Sequence, residues 1–464
     1  MAYLRAGWTS FDRLDPARGG VASTAPACGV REATAAANAA ARAFAGWAAT
    51  APSERRRILM RAADMVTRHA GAIGQAMRAE IGATGDWIAH NLTVATAHLE
   101  EAASHVTQID GRVSQDLTSF ALREPAGVCL AIAPWNAPFV LGIRSVATAL
   151  ACGNSVVFKA SELCPATHLL VGQVLADAGL PEGVLNIVTH APDDAARVVE
   201  TLIAHPAVRR INFTGSTRVG RMVAETAARH LKRCLLELGG KAPFVVLEDA
   251  DLEAAAQAAA IGAFLNQGQV CMSTDRIVVM DSVAEPFARL LAAEARKYLA
   301  GDPASGEWAL GPVISSTVAR RLSDLLSDAT QRGGQVLAGG RITGTFMDAT
   351  VVDHVRPGMA IYAEECFGPI ATICRASSQD DAIAIANDTD YGLSAAVFSR
   401  DIDRALGVAR QIETGICHIN APTVHDRPDM PFGGVKASGY GRFGGPSTLD
   451  EFTELRWITI PAGQ

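Results

Sequence analysis

GVCLAIAPW (127–135), SVVFKA (155–160) and RRINFTG (209–215) are short apolar runs separated by longer stretches with helical spacing. Strands this short and this uniformly apolar are buried on both faces. The helices between them return the chain so that each strand runs in the same direction. VLNIVT (184–189), RCLLELGG (233–240) and APFVVLE (242–248) continue the texture. Together they predict an α/β fold built on a doubly wound parallel sheet. RIVVM (276–280), AVFSR (396–400) and ICHIN (416–420) repeat the pattern and predict a second α/β domain.

The flanks read differently. Residues 31–110 are rich in Ala, Glu, Arg and His with helical spacing, as in AANAAARAFAGWAA (36–49) and SERRRILMRAADMVTRHAGAI (53–73), where Ser53 is expected to cap a helix. RVSQDLTSFALREP (112–125) and ELRWITIPAG (454–463) alternate apolar and polar residues like edge strands, which proteins cover, often with another subunit.

Composition narrows the class. With 464 residues, 49% hydrophobic and 19% charged, the chain has room for more than one core. The first twenty residues contain no apolar segment of the signal-peptide kind, and no uninterrupted apolar stretch approaches the ~18 residues of a membrane span. Nine cysteines without a CxxC pair point to reduced thiols and a cytoplasmic protein. The eleven histidines are scattered, so no metal site is expected, and a net charge of −7 argues against nucleic acid. The expected partner is a small molecule.

A doubly wound sheet directs attention to glycine loops. GYGRFG (439–444) matches GxGxxG but follows no apolar strand, and it reads as a flexible glycine segment. NFTGSTRVG (212–220) follows a strand and leads into the helix RMVAETAARH (221–230). Gly215, Ser216 and Gly220 there would let a pyrophosphate approach a helix N-terminus. FKASE (158–162) puts Lys159, Ser161 and Glu162 at the end of a strand, where ligands of open α/β sheets bind. Lys159 and Glu162 could hydrogen-bond the two hydroxyls of a ribose, or form an exposed ion pair. QGQVCMSTDR (267–276) places Cys271 between a Gly/Gln-rich turn and a strand. A lone cysteine behaves as a small hydrophobe unless partners activate it.

PWN (134–136), FKASE, FTGS (213–216), LELGGK (236–241), GQVC (268–271), EECFGP (364–369) and PFGGVKASGYGR (431–442) stand in the order and approximate spacing of the aldehyde dehydrogenase superfamily, which the chain resembles from about residue 10 onward. CMSTDR and PTVHDRPDMPFGG resemble its bacterial aromatic branch, the vanillin, benzaldehyde and salicylaldehyde dehydrogenases.

The resemblance implies an aldehyde dehydrogenase-like fold. Residues 1–107 and 123–238 would form the NAD-binding domain and 239–445 the catalytic domain. Residues 108–122 and 446–464 would form a small β oligomerisation arm of a homodimer or dimer-of-dimers tetramer. It also implies roles. Cys271 would be the nucleophile that adds to the aldehyde, and Asn136 with the Cys271 N–H would hold the oxyanion. Glu237 would activate water to hydrolyse the thioester, its apolar setting between Leu236 and Leu238 raising its pKa. Pro134, Trp135, Leu238 and Gly239 would line the cofactor site, with Glu365 and Phe367 on its nicotinamide side. Cys366, beside that pair, could confuse thiol labelling. A carboxylate at Glu162 repels a 2′-phosphate, so NAD is expected in preference to NADP.

For the substrate, Val140, Leu141 and Arg144 share a helix face. Val270 and Met272 flank the nucleophile, and Val424, His425 and Phe432 come from the loop opposite. This apolar, partly aromatic wall suits a benzaldehyde ring. Arg144 would meet a ring substituent or pair with an acid such as Asp426, and Trp87 would line the mouth or sit in the core. Rival readings are an aldehyde dehydrogenase for aliphatic or semialdehyde substrates, a non-catalytic dinucleotide-binding relative, and a thiol hydrolase of activated esters.

Overall fold

The structure, a computed structural model, describes residues 9–114 and 118–460. Positions 1–8, 115–117 and 461–464, and with them parts of segments 1–107, 108–122 and 446–464, lie outside the described residues.

The first sheet has six strands in the order Gly439–Tyr440, Arg233–Glu237, Val208–Thr214, Val128–Ile132, Ser155–Lys159, Leu185–Val188. The five between 128 and 237 are parallel. Chain order runs outward in both directions from Val128–Ile132. The connecting helices therefore cover opposite faces, and a crevice opens where Val128–Ile132 and Val208–Thr214 end. Ser216 caps the helix Thr217–Arg229 by accepting from the Val219 N–H. That helix starts four residues before the expected one.

The second sheet has seven strands in the order Gln335–Ala338, Thr350–Asp353, Ile370–Ala376, Thr274–Met280, Ala242–Val246, Ser394–Phe398, Ile416–Ile419. All are parallel except the first. Thr274–Met280, Ala242–Val246 and Ser394–Phe398 are buried along their whole length, as strands covered by helices on both sides must be.

GYGRFG is not a flexible segment. Gly439–Tyr440 is an antiparallel strand that pairs with Glu237 and Leu236 and closes the edge of the first sheet. Gly439 has φ 105, and a Cβ there would lie 2.1 Å from the Leu236 carbonyl oxygen. Only glycine permits this approach. A strand from within 239–445 thus belongs to the sheet formed by 123–238.

Three helices, Val30–Ala48, Pro52–Ile81 and Gly85–His105, form the expected helical opening. Ser53 does not cap the second of these. Pro52 occupies its first position, where a missing N–H is of no consequence, and Ala51 stands at the cap. Gly111–Val113, Ser119–Pro125 and Thr453–Thr459 make a three-stranded antiparallel sheet. It leaves Val113, Leu455 and Trp457 66%, 67% and 76% exposed. Among the described residues no helix is long and apolar enough to cross a membrane.

Candidate active site

Cys271 sits on a loop that the backbone forces into a sharp turn. Asn266, Gln267 and Gly268 have φ of 50, 59 and 65, three successive left-handed residues of which two are not glycine. At Asn266 and Gln267 such a conformation costs about 1–3 kcal/mol each and persists only where the surroundings over-determine it. Here side-chain amides do so. Gln267 Oε1 accepts from the Gly311 N–H and Gln269 Oε1 from the Ile314 N–H, both at 3.0 Å. Asn136 Nδ2 donates to the Gln269 carbonyl at 2.9 Å, tying the turn after Val128–Ile132 to the cysteine loop. Among the described residues the other hydrogen of that amide has no acceptor. The Asn136 carbonyl accepts from the Trp87 indole N–H and from Asn266 Nδ2, each at 2.9 Å.

Glu237 ends the strand Arg233–Glu237 and is buried. Its apolar setting holds a cation that the sequence did not assign to it. Arg144 Nη2 donates to Glu237 Oε2 at 2.8 Å, and both side chains are almost fully buried. The expected pairing of Arg144 with Asp426 does not form. Asp426 Oδ2 lies 3.8 Å from His98 Nε2, because the loop turns it towards the helix Gly85–His105. The Arg144 guanidinium is stacked between two rings, 4.7 Å from the centroid of Phe432 and 4.6 Å from that of Phe443.

Cys271 and Glu237 line the same cavity, and the Glu237 charge acts on the thiol. Burial, then the nearby Glu237 charge, pushes that thiol well above the ordinary range, with Arg144 opposing. The resting cysteine is therefore protonated, with an acceptor for its proton alongside. The Cys366 thiol is buried and also pushed up by burial, 3.8 Å from Lys241 Nζ. It offers little to a labelling reagent.

Cys271, Glu237 and Asn136 meet on the wall of a cavity of about 440 Å³. Pro134, Trp135, Gly215, Ser216, Leu238, Gly239, Glu365 and Phe367 line the rest. Leu141, Thr214, Arg321 and Tyr391 also line it. The walls suit the phosphate and nicotinamide end of a dinucleotide. Backbone comes close at Gly239, where a Cβ would lie 2.6 Å from Glu365 Oε2, and a helix N-terminus opens at Ser216. Burial raises the Glu365 carboxyl to about 7 against the Gly240 N–H, Lys241 and Arg321.

The other predicted residues lie off this cavity. Gly220 is packed against Leu238, whose Cδ2 a Cβ would approach to 2.4 Å. Lys159 and Glu162 form a separate cluster, 3.8 Å apart, with His190 Nε2 4.0 Å from Glu162. Ser161 caps the turn between them and Leu163. Val140, Val270, Met272, Val424 and Phe432 belong to one buried apolar cluster, against which Trp135, Leu141 and Cys271 pack. His425 and Phe432 line a second cavity of about 340 Å³ with Asp426 and His418.

Two supports were missed in the sequence. Lys241 Nζ donates to Asp275 Oδ1 and to the Ile361 and Glu364 carbonyls, each at 2.7 Å, and Asp275 Oδ2 accepts from the Cys366 N–H at 2.8 Å. Arg321 donates to the Glu365 and Cys366 carbonyls. Both hold the EECFGP turn. Lys241 and Asp275 stand inside quoted motifs, whereas Arg321 lies in an ordinary amphipathic helix with nothing to mark it.

The aldehyde dehydrogenase family profile matches residues 4–458, and the chain belongs to that family of oxidoreductases, which act on aldehydes with NAD or NADP. It is 52% identical to a vanillin dehydrogenase of Pseudomonas fluorescens over 458 residues, 98% of this chain and 95% of that one. A salicylaldehyde dehydrogenase of Pseudomonas putida G7, solved in complex with salicylaldehyde, superimposes with a TM-score of 0.96 at 45% identity, covering 98% of this chain and 96% of that one. An aldehyde dehydrogenase of Pseudomonas syringae, solved with NAD+ and octanal, gives a TM-score of 0.94 at 34% identity over 100% and 96% of the two chains.

Proposed function

We propose that this protein oxidises an aromatic aldehyde of the vanillin, salicylaldehyde or benzaldehyde type to its carboxylic acid, with NAD preferred over NADP. The observation that carries the reading is that Cys271, Glu237 and Asn136 line one cavity, with Cys271 packed against an apolar cluster that includes Phe432. Resemblance to the vanillin and salicylaldehyde dehydrogenases supports the aromatic substrate.

Glu237 takes the thiol proton, and Cys271 Sγ adds to the carbonyl carbon while the carbonyl π pair moves onto oxygen. The free hydrogen of Asn136 Nδ2 and the Cys271 N–H stabilise that oxyanion as it forms. A nicotinamide held beside Glu365 and Phe367 would supply the acceptor for the hydride of the tetrahedral carbon. The chain is left with a thioester on Cys271. Glu237 gives the thiol proton up to solvent and then takes a proton from water as the water oxygen adds to the acyl carbon; the C–S bond breaks to release the acid, and Glu237 returns that proton to the Cys271 thiolate.

Glu162, close to Lys159 at the end of a strand, supports the choice of NAD, since a carboxylate there repels a 2′-phosphate. The exposed Val113, Leu455 and Trp457 support an arm covered by a second copy of the chain, in a homodimer or a dimer of dimers. The division into 1–107 with 123–238, 239–445, and the arm segments 108–122 with 446–464 is supported by the three larger sheets, apart from Gly439–Tyr440, which joins the first sheet, and residues 123–125, which continue the arm strand. A cytoplasmic location accords with nine free cysteines.

The test is NADH formation with benzaldehyde, vanillin, salicylaldehyde, hexanal and succinic semialdehyde, each with NAD and with NADP. We expect kcat/KM at least about tenfold higher for the aromatic members with NAD. Preference for hexanal or the semialdehyde would overturn the reading of the ring pocket while leaving Cys271 and Glu237 in their roles.

A further inference from the structure

We infer that Arg144 is a positioning residue for the acid–base chemistry of Glu237, held for that purpose in an aromatic clamp made by Phe432 and Phe443. The inference rests on the reading of Glu237 as the base that releases the acid.

A glutamate at the end of a strand has three side-chain torsions, and a base that must face first a thiol and then a water gains from having them fixed. Arg144 supplies the fixing. Its Nη2 holds Glu237 Oε2 at 2.8 Å and also lies 3.4 Å from Thr214 Oγ1. That leaves Oε1 as the oxygen free for chemistry, and Oε1 is buried without a hydrogen-bond partner. A buried polar atom left unpaired is costly and requires an explanation. A reacting proton from thiol or water supplies one.

The guanidinium cannot turn away. Phe432 and Phe443 lie on it at 4.7 and 4.6 Å, and their own backbones exchange hydrogen bonds, Phe432 N–H to Phe443 O at 2.7 Å and Phe443 N–H to Phe432 O at 2.9 Å. The clamp is thus the two ends of one loop, 432–443, whose middle contains the Gly439–Tyr440 strand paired with Glu237 itself. One short segment fixes the base from its backbone side and the arginine that orients it from its ring side. A lysine could not replace Arg144 here, because a compact ammonium has no plane to stack between two rings.

The test combines rapid-mixing and steady-state kinetics on Arg144→Ala, Arg144→Lys and Phe443→Leu with benzaldehyde and NAD. In both Arg144 variants the first burst of NADH should stay at one equivalent per site while kcat falls by about tenfold or more, because acid release then waits on an unaligned base. Guanidinium ion, at concentrations too low to unfold the protein, should restore part of the kcat of Arg144→Ala and none of that of Glu237→Gln. Phe443→Leu keeps both charged groups and loosens the clamp. It should lower kcat several-fold with the burst intact, and it serves if the Arg144 variants fail to fold. Wild-type kcat in Arg144→Ala with only KM raised would overturn the inference and make Arg144 a substrate contact. Normal steady turnover in Glu237→Gln would instead remove the base itself, and with it any role of Arg144 in positioning it.

Discussion

Two buried cation–carboxylate pairs stand close to the cavity lined by Cys271, and they are built differently. Lys241 and Asp275 leave nothing unsatisfied. The ammonium makes bonds to a carboxylate and two carbonyls, and the second carboxylate oxygen accepts a backbone N–H. Arg144 and Glu237 share one bond of similar length but leave Arg144 Nε and Glu237 Oε1 without partners. The complete pair is a brace that holds the EECFGP turn against the LELGGK turn. The incomplete pair has capacity held open for a reacting group. Satisfied networks rigidify, and partly satisfied ones are tolerated where chemistry requires them.

The contrast can be broken by substitution. Lys241→Met strands a buried Asp275 and should lower stability by about 3–5 kcal/mol, read as a drop in the unfolding midpoint. A variant of normal stability that only lost turnover would erase the distinction between brace and working pair. Glu237→Gln should lose about a hundredfold in steady kcat, with the first NADH burst retained in amplitude but slowed, and should lower stability less than Lys241→Met because the new amide oxygen can still accept from Arg144. Trp87→Phe removes one donor from the Asn136 carbonyl while the Asn266 amide remains. It should cost about 1 kcal/mol, a loss of roughly fivefold in kcat/KM.

The smallest expected effect concerns pH. Burial lifts the Glu365 carboxyl to about 7, so below that pH it is protonated and a poorer acceptor for ribose hydroxyls. NAD should bind a few-fold more tightly as pH rises through about 7, and Glu365→Gln should flatten the profile in a direct binding titration. The sign for stability is opposite. A carboxyl raised in the folded state contributes stability on its acid side, lost as pH rises through about 7.

Much of this was legible in the sequence, for identifiable reasons. Val128–Ile132 and Ser155–Lys159 are buried along their whole length, so their uniform apolar character was visible one residue at a time. The motifs marked Cys271, Glu237 and Asn136, which the fold brings to one cavity wall. The partner of Arg144 was not legible. Helical spacing assigns a side chain to a face but does not say what lies across from it, and Glu237 is 93 residues away. GYGRFG was misread because its pairing is with Leu236 and Glu237, about two hundred residues earlier, and a two-residue edge strand has no pattern of its own. Ser53 failed as a cap because Pro52 suits the first position of a helix better than a serine one residue later suits its cap.

The late return of Gly439–Tyr440 to the first sheet also bears on how the chain is made. Until the ribosome has delivered residue 440, the strand Arg233–Glu237 is an open edge, with its backbone groups available to any passing strand. Synthesis proceeds at about 5–20 residues per second, so a nascent chain carries that edge for roughly ten seconds or more. The first sheet is therefore exposed to misassembly during translation, and fragments ending before residue 439 should aggregate through it. The finishing strand comes from the same loop that packs on Arg144, so the Arg144–Glu237 pair is complete only when nearly the whole chain exists.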